Sequence, residues 1–338
     1  MITLATADPH VSANPRDAYR WKFLEETLPA LVAEHDVERI LILGDLTETK
    51  DGHPAALVNR LVDAVVALTE SAQLYFLKGN HDYVAEDVPF FRFLRHLRRV
   101  RWINEPTALE LRGLGKCLFL PHTRNLEDWV DQMFDSYEWF FCHQTFGGAD
   151  LGGRRADGAG PPFTKNSKVV SGDVHVPQKV GPVTYVGAPY TVDFGDDYKP
   201  RVLLLDGGKA RSIPVPGPQK RLMTLSGRDP LAALGMKHPL AAAIWPLTEG
   251  DVVKVRVELP AGSEVSRADV RARVRGWAEE ARVELSAVQV VAPAAKSTPA
   301  ARDRHRASDA DLVRAYARKM NKGKATVSAG LKLAEETP

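Results

Sequence analysis

The chain has 338 residues, 44% of them apolar, and a formal net charge of +2, so it can bury a large core and divide into one main domain with smaller attachments. No run approaches the roughly 18 apolar residues of a membrane span, and the opening "MITLATADPH" shows neither a basic leader nor a cleavage site; we expect a cytoplasmic protein with no membrane partner. Residues 292–338 hold ten Lys/Arg against five Asp/Glu, a net +5 that leaves −3 on the other 291 residues, and so near-neutral a body argues against broad, non-specific nucleic-acid binding.

In chain order, short apolar runs at 2–7, 39–45, 73–79, 116–122, 138–144, 168–173, 183–189 and 201–206 read as buried strands. Helices fit between several of them. Residues 17–33 place Trp21, Leu24, Leu28 and Leu31 on one face, and 54–70 do the same with Leu57, Leu61, Val65 and Leu68. A βαβ rhythm that gives way to consecutive strands predicts an α/β sandwich of two sheets flanked by helices over residues 1–210. Cys117 and Cys142 lie inside apolar runs and read as buried free thiols. The Gly- and Pro-rich stretch between Gln144 and Lys168 reads as a long loop. After a connector at 211–250, residues 251–291 read as a small βαβ cap domain. Residues 292–306 read as a linker, and 307–338 as a helix pair too short to bury its own apolar stripe, which suits docking on a partner. Residues 90–101, "FFRFLRHLRRVR", predict a helix with Phe90, Phe91, Leu94 and Leu97 on one side and Arg92, Arg95 and Arg99 on the other.

Polar residues collect where the strands end. In order they are Asp8-Pro9-His10, Gly44-Asp45-Leu46-Thr47-Glu48, Gly79-Asn80-His81-Asp82, His143 and Gly172-Asp173-Val174-His175. The glycines are expected to let the backbone turn sharply, and residues two apart project to the same side, so a D-x-H exit can aim two donors at one ion. Carboxylates mixed with imidazoles suit Mn, Fe or Zn, and there are more of them than one ion can use.

These blocks, in this order, resemble the signature of the calcineurin-like metallophosphoesterases, and the whole chain resembles SbcD-type nucleases, particularly shorter phage versions. The resemblance implies a two-sheet sandwich with a cap and terminal helices, and two divalent ions. Asp8, His10, Asp45 and His175 would hold one; Asp45 as bridge, Asn80, His143 and Asp173 would hold the other. His81, held by Asp82, would be the catalytic pair. It further implies exonuclease or endonuclease action on DNA in recombination, repair or phage DNA metabolism. The implied partners are an SbcC-like SMC-type ATPase docked on the C-terminal helices and a second copy of the chain. Arg92, Arg95, Arg99, Arg154 and Arg155 are candidate contacts to phosphates. Two departures stand out. Asp173 replaces the histidine of the family's G-H-x-H, which makes the site harder and favours Mn, with Mg as second choice. Glu48 stands where SbcD-like nucleases often carry a histidine, while nearby His53 reads as a residue opening the 54–70 helix. Alternatives are a nucleotide phosphodiesterase or phosphoprotein phosphatase of the same superfamily, or a weakly active structural subunit that recruits the ATPase.

Overall fold

Strands that are apolar on both faces need a cover on each side, and two sheets with helices outside supply it. The structure is a computed structural model and describes residues 1–130, 136–235 and 247–291. The expected linker 292–306, the helix pair 307–338 and part of the 211–250 connector lie outside the described residues. In chain order the strands are β1 (Ile2–Thr6), β2 (Val37–Leu43), β3 (Gln73–Leu77), β4 (Val100–Ile103), β5 (Thr107–Leu111), β6 (Gly115–Leu120), β7 (Trp139–His143), β8 (Val169–Gly172), β9 (Gln178–Val180), β10 (Val183–Tyr185), β11 (Arg201–Asp206), β12 (Lys209–Pro214), β13 (Lys220–Leu225), β14 (Val252–Glu258) and β15 (Glu284–Val291). One sheet runs β12-β11-β1-β2-β3-β4, the second β5-β6-β7-β8-β10-β9, and a third, smaller one β13-β14-β15.

The alternation along the central strands divides the core. Leu41 and Leu43 pack with Phe119, Phe141 and Val170 of the second sheet, whereas Ile40 and Ile42 pack with Trp21, Leu28, Leu61 and Val65 of the helices. Among the described residues, no helix is long and apolar enough to cross a membrane, and both cysteines are buried and free.

Two local expectations are corrected. The 17–33 helix is not uniform: a π turn at Phe23–Thr27 separates Ala18–Lys22 from Leu28–Glu34, with the Leu28 N–H reaching the Phe23 carbonyl. Pro29 explains it, since its ring clashes with the carbonyl four residues back and a widened turn relieves the clash. Residues 90–101 are a 3-10 segment, Phe90–His96, followed by β4. Its three-residue period aligns Phe91, Leu94 and Leu97 and leaves Phe90 exposed at 36%. Arg99 turns away from this ridge and donates Nη1 to the carbonyls of Thr69 (2.7 Å) and Glu70 (3.1 Å), capping the C-terminus of helix Ala55–Ser71. Beyond β11, β12 extends the first sheet, and β13 pairs in parallel with β14.

Candidate metal centre

Parallel strands end at the same edge of a sheet, and that is where ligands gather in α/β folds. β1, β2 and β3 are parallel neighbours, as are β6, β7 and β8. The loops leaving β1 and β2 are laced by Asp8 N–H to the Gly44 carbonyl (3.2 Å), His10 N–H to the Asp45 carbonyl (2.9 Å) and Val11 N–H to the Leu46 carbonyl (3.1 Å). The second sheet is tied in by Asp173 N–H, which donates to Asp8 Oδ1 at 3.1 Å. Asp8, His10, Asp45 and Asp173 all have φ between 40° and 74°, a left-handed conformation that costs energy for a residue with a side chain and concentrates at functional sites. Of the expected turning glycines, Gly44 does turn, at φ 87°. Gly79 instead makes room: a Cβ there would lie 2.3 Å from Asp45 Oδ1.

The donor atoms are spaced like ligands. His10 Nε2 lies 3.1 Å from His175 Nε2 and 3.4 Å from Asp45 Oδ2. His143 Nε2 lies 3.3 Å from Asp45 Oδ1 and 3.7 Å from Asp173 Oδ1. Two ligands about 2.1 Å from one ion are roughly 3.0–3.5 Å apart. Three overlapping sets, Asp8/His10/His175, His10/Asp45/His81 and Asp8/Asp45/His143, each bring one donor atom per residue within 4.8 Å of one another. Asp8 Oδ2, Asn80 Oδ1 and His143 Nε2 are buried without a hydrogen-bond partner, a costly arrangement unless a cation receives them. These residues fit divalent ions.

Outer contacts set which atoms are free. His143 Nδ1 meets the Leu43 carbonyl at 2.7 Å; a carbonyl only accepts, so Nδ1 carries a proton, and in the neutral ring Nε2 has the lone pair that a cation would take. His81 is fixed the same way, Nδ1 donating to the Glu48 carbonyl at 2.6 Å while its backbone N–H donates to Asp45 Oδ1 at 2.8 Å. The expectation that Asp82 holds His81 is therefore corrected. Asp82 is 1% exposed, and its carboxylate accepts from the backbone N–H groups of Asp45 (3.0 Å), Leu46 (3.1 Å) and Gly79 (2.6 Å). It clamps the loops that leave β2 and β3 together and does not hold the His81 ring.

Charge in the cluster is frustrated in the same direction. Burial holds Asp8 well above the usual carboxylate range; His143 opposes the rise while Asp45 and Asp173 add to it. Burial would also raise Asp45, but His143, His10 and His81 outweigh it and hold it well below. Burial disfavours a proton on His143, yet Asp45, Asp173 and Asp8 draw one there. The same three carboxylates would equally hold a cation. His10 is pushed down to about 3 by burial, against the pull of Asp45, so it stands neutral with a lone pair to give.

Arg92 and Arg95 are exposed on the 3-10 segment, and Arg154 and Arg155 are exposed in the Gly-rich loop, outside the donor cluster. Sequence reading misses Arg20. It is 3% exposed and its Nη1 donates to the His10 carbonyl (2.6 Å) and pairs with Glu48, bracing both a donor residue and the support of His81. A buried arginine in an amphipathic helix leaves no pattern that would reveal this. His53 meets Thr47 Oγ1 at 2.8 Å and packs on Phe90, ring centres 4.2 Å apart.

Comparison with known proteins agrees with this geometry in one respect. The sequence profile described as Calcineurin-like phosphoesterase matches residues 1–177. The UDP-2,3-diacylglucosamine hydrolase of Shewanella pealeana (strain ATCC 700345 / ANG-SQ1) is 38% identical over 88 residues, 25% of this chain and 34% of that protein, so the match spans about a third of that relative. A solved structure, the nuclease MPE of Pseudomonas putida, is similar at 17% identity and a TM-score of 0.32, over 63% of this chain and 73% of that one.

Proposed function

The chain belongs to the calcineurin-like phosphoesterase family, a family of metal-dependent phosphoester hydrolases, and from that premise we propose that it is a two-metal DNA nuclease of the SbcD type. The observation that carries the hydrolytic part is the gathering of donors from five strand ends, three of them buried atoms without a partner. In this reading Asp8, His10, Asp45 and His175 hold one divalent ion, and Asp45, Asn80, His143 and Asp173 a second. Such ions, when bound, supply positive charge to the non-bridging oxygens of a phosphodiester and make water more acidic.

The chain's own residues do the positioning. Asp45 gives one oxygen to each half of the cluster. As the imidazolium, His81 keeps its Nδ1 proton on the Glu48 carbonyl and carries a second proton on Nε2 to deliver to the departing sugar oxygen. Asp173, a carboxylate where an imidazole is usual, shifts the preference toward Mn. The choice of DNA draws on the sequence resemblance and on exposed Arg92 and Arg95, whose segment is joined to the site by Phe90 N–H to the Asp82 carbonyl at 3.0 Å. An SbcC-like ATPase would bind through residues 307–338. Deleting 292–338 is then expected to end co-purification with the ATPase while leaving cleavage of short DNA intact.

A second reading, hydrolysis of UDP-2,3-diacylglucosamine, draws on the 38% identity over 88 residues. The test is an assay on labelled single- and double-stranded DNA with Mn, Mg or chelator, beside UDP-2,3-diacylglucosamine. We expect Mn-dependent DNA cleavage, lowered ~10²- to 10⁴-fold in His81→Ala. Intact DNA with turnover of the nucleotide sugar would overturn the nuclease reading.

A further inference from the structure

A sixth strand end enters the same site. β6 is parallel to β7 with Leu120 paired to Cys142, so His122, two residues past β6, leaves the sheet beside His143. Its backbone N–H donates to the Lys78 carbonyl at 2.9 Å, tying the β6 exit to the end of β3. The Trp129 indole N–H holds the preceding Pro121 carbonyl at 3.2 Å. The His122 and His143 rings stand 6.1 Å apart, centre to centre, at 75°. Two imidazoles that share one ion have ring centres at most about 6.5 Å apart, given a metal–nitrogen bond near ~2.1 Å.

The tautomer of His122 follows from its neighbours. Tyr83 Oη donates to Glu86 Oε1 at 3.0 Å, and that carboxylate oxygen also accepts the Arg124 N–H at 3.1 Å. A phenol has one proton to give, so the 2.8 Å contact between Tyr83 Oη and His122 Nδ1 must be made by a proton on Nδ1. Lys78 Nζ and the Arg124 guanidinium, 4.4 Å and 5.4 Å from the centre of the Tyr83 ring, hold the phenol in place. His122 Nε2 is left with a bare lone pair, an acceptor that can bind a cation and cannot donate to a phosphate oxygen. Imidazoles that ligate metals carry this kind of outer hydrogen bond on the second nitrogen.

We propose that His122 is an additional ligand of the second ion, supplying there the imidazole that Asp173 withholds, with Tyr83 as its positioning residue. This rests on the two-ion reading above. The test is Mn titration calorimetry on metal-free protein, with the visible absorption of the Co-loaded form as a second readout, on wild type, His122→Ala, His122→Asn and Tyr83→Phe. Circular dichroism identifies which of the two His122 variants keeps the fold, and that variant is the one compared. Wild type should bind two ions. The His122 variants should keep one at unchanged affinity, bind the other at least about tenfold more weakly, and lose part of the Co spectrum; Tyr83→Phe should weaken the same ion by less. Two ions at unchanged affinities in a folded His122 variant would overturn the assignment alone. A single ion in wild type would overturn the two-ion reading and this assignment together.

Discussion

Two fully buried aspartates lead opposite lives. Asp251, in the cap, is 0% exposed, yet its oxygens accept from Gln219 N–H (2.6 Å) and Thr248 N–H (2.9 Å), joining the start of β14 to the residue before β13. Asp8, in the core, is also 0% exposed, yet Oδ2 has no partner and three other carboxylates or imidazoles crowd it. The cap around Asp251 is a parallel sheet covered by helix Arg267–Glu280, whose Ser266 caps it by accepting from Asp269 N–H, and its core of Val253, Val255, Val270 and Val274 is apolar throughout. Burial alone does not mark a functional group. What separates the two is whether the fold satisfies the charge it buries, and near Asp8 it stops short.

The largest effect should come from Asp45→Asn, which removes the charge common to both halves of the cluster: calorimetry should detect no Mn binding and hydrolysis should fall to that of buffer. Asp251→Ala should do the reverse. It leaves the buried Gln219 N–H unpaired and releases the Thr248 N–H of an exposed residue, a loss of about 1–3 kcal/mol in urea unfolding, with kcat of the folded fraction unchanged. Asp8→Asn sharpens the contrast further. A carboxyl whose folded pKa is raised costs stability at every pH above its unfolded value, because folding must then hold a proton that the unfolded chain releases. At pH 7 metal-free Asp8→Asn should therefore be more stable than wild type, by about 1.4 kcal/mol per pKa unit relieved, while losing Mn affinity. Equal destabilisation by both substitutions would break the comparison. The smallest effect is on pH. Protons drawn onto His143 and Asp8 compete with the cation, so binding should release protons and log affinity should rise with pH, by about one per unit for each proton displaced. Calorimetry in buffers of different ionisation enthalpy measures this.

The donors were legible because a polar side chain that ends an apolar run is conspicuous, as with Asp45 after "RILILG" or Asn80 after "LYFLKG". The supports were not. Asp82 adjoins His81 in sequence and so suggests a pair, but the turn closed by Asp82 N–H on the Gly79 carbonyl (3.4 Å) sends its carboxylate back to three backbone donors. Glu48 acts on His81 through its backbone carbonyl, which no side-chain pattern encodes. Arg20 reaches the site from a helix, and the three-residue period of 90–96 looks helical until Pro89 and the turn into β4 are seen to leave it too little length.

Diffraction from Mn-soaked crystals, collected for the anomalous signal of the metal, would show whether two ions sit at these strand ends. Two peaks joined by Asp45 are expected, one against Asp8, His10 and His175 and the other against Asn80, His143 and Asp173. A single peak, or metal bound only away from these strand ends, would contradict the two-ion reading.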